Sequence, residues 1–422
     1  MKRPVVLLLW ALMVGGVSGQ TPLKVRPDAL PPVAEVDGAK IINMAATREE
    51  MRGWDRYPTY ETYVGMMQRW ADSYAGICTL DTIGTSVEGR LILAVHIEGG
   101  GAGGAEHPEF FYSSTIHGDE VTGYVMMLHL IDTLLGSYGS SARLTELVDR
   151  TAIYINPLSN PDGAYYRGNH TVQGSRRYNA DGMDLNRTYP DPFGGTAKVV
   201  PQENEAMMEY VGRHHFVLSA NLHGGSEVMN YPWDCFTSVQ SPHPSSGWWQ
   251  EVCRRFVDTC RVRDDARFRD VNSSGVIAGG DWYVIHGGRQ DYMNYYHNCL
   301  EVTMEISSVK TLSSSLLPDY WHVLAPSLIN YIEEIHHEPG ILGMGTVAEG
   351  PGVLTVYPNP VGGAVTVSGV GEGAVVELYD LNGRRLGSWQ CGGEGWRLPV
   401  DTLPQGVYLV HADGQTVKIV KK

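Results

Sequence analysis

The sequence predicts an α/β fold, a mixed eight-stranded-type sheet with helices on both faces, followed by a small antiparallel β-sandwich. Two observations carry this. From about residue 46 to 338, strand-like apolar runs alternate with helical stripes, the pattern of a sheet covered on both sides. After Pro339 the texture changes to short strands separated by Gly-rich turns.

The elements follow in order. Lys2 and Arg3 precede the short apolar run Val5 to Val17, and Val17-Ser18-Gly19 forms a small-residue exit. Residues 1–19 therefore read as a signal peptide cleaved before Gln20, the run being too short to span a bilayer comfortably. Residues 20–45 are Pro-rich and read as a leader or strap ahead of a domain over 46–338. Leu91 to Ile97 reads as a strand, and Glu109 to Ile116 as another that ends at the loop His117-Gly118-Asp119-Glu120. Val121 to Leu135 carries a helical stripe, and Thr151 to Asn156 is again a strand. Phe216 to Leu222 is a strand that delivers His223. Helices at 246–262 and 314–336 flank a strand at Cys299–Ile306. Gly99 to Gly104 is not a nucleotide loop, because His107 to Tyr112 opens a strand and not a helix; it reads as a hairpin insertion. Residues 339–350 form a linker, and 351–422 hold the sandwich, with strands at Val353–Tyr357, Val376–Tyr379, Gly406–Val410 and Val417–Val420 and a hairpin turn at Asn382-Gly383.

The net charge of −15 excludes a nucleic-acid role, since no basic excess exists to neutralise phosphates. Export makes disulfides possible for the six cysteines, whose spacing matches no zinc-finger pattern. Cys253 and Cys260 sit about 10 Å apart along a straight helix at roughly 1.5 Å per residue, too far for a bridge within it.

The chemistry lies in three segments. A catalytic zinc takes three protein ligands and keeps a further position for water. His117 and Glu120 supply two ligands, and His223 supplies the third. Both segments stand at strand ends, where sites in such sheets gather. Zinc lowers the pKa of a bound water to about 7. Amide hydrolysis then needs a base, an oxyanion donor and a substrate clamp. Glu305 is the base: along its strand Glu301, Thr303 and Glu305 face one way, with Val302 and Met304 on the other. Asn186 and Arg187 suit a carboxylate clamp. Arg177 suits the carbonyl polariser, with Arg176 a rival on spacing alone. Asp184 suits the acceptor that orients a ligating histidine.

At these residues the chain resembles the metallocarboxypeptidases, over roughly 50 to 335. The carrying strings are HGDE at 117–120, NPDG at 160–163, DLNR at 184–187, SANLHGGSEVMNYPWD at 219–234, Trp282 to Tyr292, and TMEIS at 303–307. The nearest likeness is to the regulatory branch, carboxypeptidases N, E, M and D, which remove C-terminal Arg and Lys. The resemblance implies His117, Glu120 and His223 on one Zn2+ ion and Glu305 as general base. It implies Arg177 rather than Arg176 as polariser, Asn186 and Arg187 on the terminal carboxylate, Tyr283 folding over the substrate, and Asp184 holding His117. The branch's side-chain pocket maps to Asp234 and Gln290. A buried acid left without its cation costs roughly 3–5 kcal/mol, about two to three powers of ten in selectivity.

Three positions depart from the branch: Asp119 where Asn is usual, Thr188 where Asn is usual, and Glu227 where an apolar residue is usual. Asp119 and Glu227 bear on fine specificity. In place of the branch's transthyretin-like domain, the chain resembles the sorting domain of the type IX secretion system. The carrying residues are VYPNP at 356–360, Tyr379 to Arg384, Leu403 to Tyr408, and Lys418, Lys421 and Lys422. The implied partners are peptide or protein C-termini and the outer-membrane secretion machinery. The implied location is secreted, or on the outer surface of a Gram-negative bacterium. The expected function is an exported zinc carboxypeptidase with C-terminal Arg/Lys preference. Its alternatives are a zinc peptidase acting on peptidoglycan stem peptides, against which Asp234 and Gln290 argue, and a non-catalytic peptide-binding relative.

Overall fold

A computed structural model describes residues 41–100, 107–191, 199–337 and, apart from short gaps, 354–421. The expected signal peptide, nearly all of the leader, most of the Gly99–Gly104 insertion, the 339–350 linker and the Asn382-Gly383 turn lie outside the described residues.

The main sheet is mixed and eight-stranded. Its strands are β1 (Cys78–Thr85), β2 (Leu91–Ile97), β3 (Glu109–Ser114), β4 (Ala152–Asn156), β5 (Phe216–His223), β6 (Ser226–Tyr231), β7 (Val276–Ala278) and β8 (Leu300–Ser307). Their spatial order is β1-β2-β4-β3-β5-β8-β6-β7. The centre, β4-β3-β5-β8, is parallel, and β6 returns antiparallel beside β8. The helices are α1 (Tyr60–Ser73), α2 (Thr122–Ser137), α3 (Ala142–Arg150), α4 (Gln202–Val211), α5 (Ser246–Arg261), α6 (Arg289–Tyr296) and α7 (Leu317–Glu333), with single turns at Pro161–Ala164 and Gly279–Trp282.

Strand parity sorts the side chains. Phe110, Tyr112, Leu218, Ala220, Val302 and Met304 point into one large core with residues of α1, α2, α5 and α7. Each such side chain taken from water contributes about 1.5–3 kcal/mol. Phe111 and Tyr154 point the other way, into a smaller core with Met207 and Tyr210 of α4 and Met293 of α6, and Phe216 joins them because the β3–β5 register shifts between it and Leu218. This second core covers only part of its face. The remainder holds Glu301, Thr303 and Glu305, which share a side of β8 as expected.

Thr59 and Ser141 cap α1 and α3, accepting from Thr62 N and Leu144 N, which meets donors the first turn cannot satisfy itself. The helix expected at 314–336 is α7 with a 3-10 turn at each end. All six cysteines are buried, and no disulfide joins them among the described residues. Cys253 and Cys260 share α5, and the Cys260 thiol meets Ser327 Oγ at 3.1 Å.

The C-terminal residues form two antiparallel sheets. One is β9 (Thr355–Tyr357), β10 (Val365–Ser368) and β13 (Trp396–Leu398); the other is β11 (Val375–Asp380), β12 (Arg385–Gln390), β14 (Gly406–Ala412) and β15 (Gln415–Lys421). Val365, Val367, Leu378, Leu398, Val410 and Ile419 share one core between them, the construction of a sandwich.

Candidate metal centre and peptide cleft

His117 and Glu120 sit in the loop after β3, and His223 ends β5. The loop is held tightly. Thr115 takes a positive φ of 60° and its hydroxyl donates to Glu120 O at 3.1 Å. A Cβ at Gly118 would lie 2.4 Å from the backbone of Gly163, so only glycine allows this approach. His117 Nδ1 lies 3.0 Å from Glu120 Oε1, His223 Nδ1 lies 2.8 Å from Glu120 Oε2, and the two Nδ1 atoms are 3.1 Å apart. All three side chains are buried.

This donor set fits a divalent cation. Asp184 Oδ1 sits 3.2 Å from His117 Nε2, which places the ring proton there and turns the Nδ1 lone pair inward. Burial pulls the His223 imidazole down to about 4, keeping it in the neutral, ligating form. Burial opposes charge on Glu120, but His117 and His223 outweigh it and hold the carboxyl well below the usual range. Two imidazoles and one carboxylate form a catalytic zinc set.

A cleft of about 600 Å³ opens over these residues and is lined also by Arg177, Asn186, Arg187, Asp234, Tyr283 and Glu305. Glu305 is the register partner of His223 across the β5–β8 ladder. Its Oε2 is buried without a hydrogen-bond partner, and burial, reinforced by Glu120, holds its carboxyl well above the usual range. Such a group is suited to take up and return a proton near neutral pH. Arg177 Nε donates to Asp184 Oδ2 at 2.9 Å, and its Nη1 lies 3.6 Å from Glu120 Oε1. Arg176 instead lies over the Tyr166 ring, 3.6 Å from its centre.

Asn186 Oδ1 accepts from Arg289 N at 2.9 Å, leaving its amide NH2 for a ligand. Arg187 donates to Asn186 O at 2.7 Å and has no ion-pair partner among the described residues. Asp234 is buried and likewise forms no ion pair among them. Burial, then the charge of Asp291, holds its carboxyl well above the usual range. Gln290 does not reach the cleft. It sits behind Asp234, donating from Nε2 to Asp234 Oδ1 at 3.0 Å while its Oε1 takes Thr303 N at 2.6 Å. Asp291 accepts Asp234 N and Cys235 N, each at 2.9 Å. The opposite wall is glycine: a Cβ at Gly279 would lie 1.8 Å from Asp234 Oδ1.

Residues 63–331 match the family described as zinc carboxypeptidase. The chain belongs to the zinc carboxypeptidase family. Residues 355–422 match the secretion system C-terminal sorting domain, a segment that directs secretion. Carboxypeptidase M of Mus musculus is 34% identical over 67% of this chain and 66% of its own length. Carboxypeptidase D of Anas platyrhynchos is 32% identical over 84% of this chain, which spans only 25% of that relative. Crystal structures of thrombin activatable fibrinolysis inhibitor and of carboxypeptidase A from Helicoverpa armigera share the fold, with TM-scores of 0.61 and 0.58 at 16% identity. They cover 69% and 68% of this chain, and 78% and 75% of their own.

Within this zinc carboxypeptidase the three departures have distinct surroundings. Glu227 does not line the cleft. Ser226 and Asn230 do, and Glu227, of opposite parity on β6, turns away. Its carboxylate accepts from Arg267 Nη1 at 2.8 Å and Phe268 N at 2.9 Å, so it anchors a loop rather than setting specificity. Thr188 Oγ1 accepts from Asn204 Nδ2 at 2.8 Å. Asp119 pairs with Lys310 Nζ at 3.1 Å, and Lys310 lines the cleft. Sequence reasoning assigns no role to Lys310, Asn230 or Asp291. Asn230 depends on β6, whose uniformly buried residues give no alternation to read, and Lys310 and Asp291 depend on loop and helix placement that no local pattern encodes.

Proposed function

We propose that the protein is an exported zinc-dependent carboxypeptidase that hydrolyses the last peptide bond of peptides and proteins and prefers C-terminal Lys or Arg. One observation carries the preference: Asp234 is a buried carboxyl in the cleft that forms no ion pair among the described residues. A substrate ammonium or guanidinium supplies that missing charge.

His117, Glu120 and His223 would hold the zinc, which would acidify water and polarise a carbonyl. Glu305 Oε2 takes the proton of the attacking water and returns it to the leaving amine. Arg177, steadied by Asp184, donates to the oxygen on which negative charge develops. Asp184 also keeps His117 in its ligating tautomer. Asn186 and Arg187 hold the terminal carboxylate, Tyr283 closes over the substrate, and Gln290 fixes Asp234 from behind. The catalytic unit spans 46–338, and 339–350 links it to the sorting domain at 351–422. Removal of residues 1–19 and passage through the type IX machinery leave the enzyme on the outer surface of a Gram-negative cell or released from it.

The test is a panel of peptides differing only in the last residue, with and without chelator, beside a peptidoglycan stem peptide. Rapid release of terminal Arg and Lys, slow release of Leu and Phe, and loss of both with chelator are expected. Equal rates on all peptides, faster cleavage of the stem peptide, or indifference to chelator overturns the proposal.

A further inference from the structure

The ion pair between Arg289 and Glu301 lies wholly inside the protein, its side chains 1% and 0% exposed. Arg289 Nε and Glu301 Oε1 have no hydrogen-bond partner among the described residues, so these do not fully compensate the pair. Buried pairs of this kind give little stability compared with apolar residues of the same volume. Its placement says what it does instead.

Three central strands grip this pair. Nη2 donates to Glu301 Oε2 of β8 at 3.0 Å, Nη1 donates to Ser113 Oγ of β3, and Ser219 Oγ of β5 donates to the same Glu301 oxygen at 2.8 Å. Arg289 is also the first residue of α6, and the first turn of that helix holds both substrate-facing subsites. Arg289 N fixes Asn186 Oδ1 at 2.9 Å, Gln290 fixes the Asp234 carboxyl at 3.0 Å, and Asp291 fixes the Asp234 and Cys235 amides at 2.9 Å. Glu301 stands four residues before Glu305 on one strand face, so the pair ties that turn to the strand bearing the proposed base.

We infer that Arg289 and Glu301 are positioning residues that lock the carboxylate clamp and the basic-side-chain pocket into one unit, in register with Glu305. The inference rests on the carboxypeptidase reading above.

The double variant Arg289→Met, Glu301→Gln removes the pair without leaving either charge alone. KM for an Arg-terminated peptide should rise about tenfold with kcat within about threefold, and the preference for Arg over Leu should fall about tenfold. Arg289→Lys, which keeps the charge and loses the fork, should fall between this variant and wild type. The control is Arg255→Met, Glu334→Gln, which removes a pair at 2.8 Å away from the cleft. It should lower thermal stability and leave KM and preference unchanged. Wild-type KM and preference in the folded double variant, or the same losses in the control, overturn the inference. If the double variant does not fold, wild-type values in Arg289→Lys overturn it. A wild-type protein that cleaves no peptide counts against the proposed function instead. Calorimetric binding of the Arg-terminated peptide then decides the inference, an affinity loss in the double variant supporting it and an unchanged affinity overturning it.

Discussion

Glu305 and His223 are register partners on adjacent parallel strands. The sheet itself, with strands about 4.8 Å apart, sets His223 beside a carboxyl whose Oε2 has no hydrogen-bond partner among the described residues. Because backbone pairing fixes this relation, Glu305→Gln removes the proton acceptor and leaves the ligands where they are. Turnover should fall by about two to four powers of ten, with zinc content unchanged. Peptide assays beside metal analysis check this, and an active Glu305→Gln protein with wild-type kcat defeats the assigned role.

Asp234 has Gln290 behind it and forms no ion pair among the described residues. Asp234→Ala should lower kcat/KM for Arg- and Lys-terminated peptides by about two to three powers of ten. Leu- and Phe-terminated peptides should change little. Equal losses on all four would remove Asp234 from the pocket's chemistry.

The same carboxyl gives a pH signature. Burial and then Asp291 hold Asp234 well above the usual carboxylate range, and burial holds Asp291 at about 6. A raised carboxyl pKa means that the empty pocket favours the proton-bound form, whereas a substrate cation needs the charged one. KM for Arg-terminated peptides should therefore rise as pH falls, while KM for Leu-terminated peptides rises less. Stability runs the opposite way: a folded pKa above the unfolded value stabilises at low pH, and that contribution is lost as pH rises through the folded pKa. Free arginine should thus raise the melting temperature more at pH above that value than below it. Parallel KM profiles for the two peptides would contradict the assignment.

The His117–Glu120–His223 cluster and the face shared by Glu301, Thr303 and Glu305 were legible in the sequence because both depend on local pattern, a loop after a strand and a period of two. Strand β1 was not legible: its residues Cys78-Thr79-Leu80-Asp81-Thr82 are largely polar, because an edge strand leaves more of its surface to water. Strand β6 was hidden for the opposite reason. It is buried on both faces, so Ser226, Glu227 and Asn230 meet partners rather than solvent and give no alternation of apolar and polar residues. Asp234 could be placed only through resemblance, and its anchoring by Asp291 only through the placement of α6.

Gly279 tests the pocket from its other wall. An added Cβ would lie 1.8 Å from Asp234 Oδ1 and 2.6 Å from Asn230 Oδ1, closer than any atoms can approach. Either the acid or the turn at Gly279–Trp282 must move. Gly279→Ala should therefore lose preference for basic C-termini by about tenfold or more, since a small misplacement of a positioning group is costly. Zinc content should stay at the wild-type level. Unchanged Arg-over-Leu preference would mean that Asp234 does not form the pocket floor.

Glu227 separates stability from specificity. Its carboxylate holds Arg267 and the Phe268 amide, and Arg267 in turn lies 4.0 Å from the centre of the Tyr320 ring. Glu227→Leu leaves the Phe268 amide without its acceptor, while Arg267 keeps Asp264 at 2.9 Å. Because one partner survives, the cost should be about 2–3 kcal/mol, at or below the low end for a broken buried pair. Chemical denaturation measures that loss, and the peptide panel should show the wild-type order of preference. A change in that order, with stability intact, would return Glu227 to the specificity pocket, which its parity on β6 opposes: one residue's step along a strand turns a side chain from the cleft to the helices behind it.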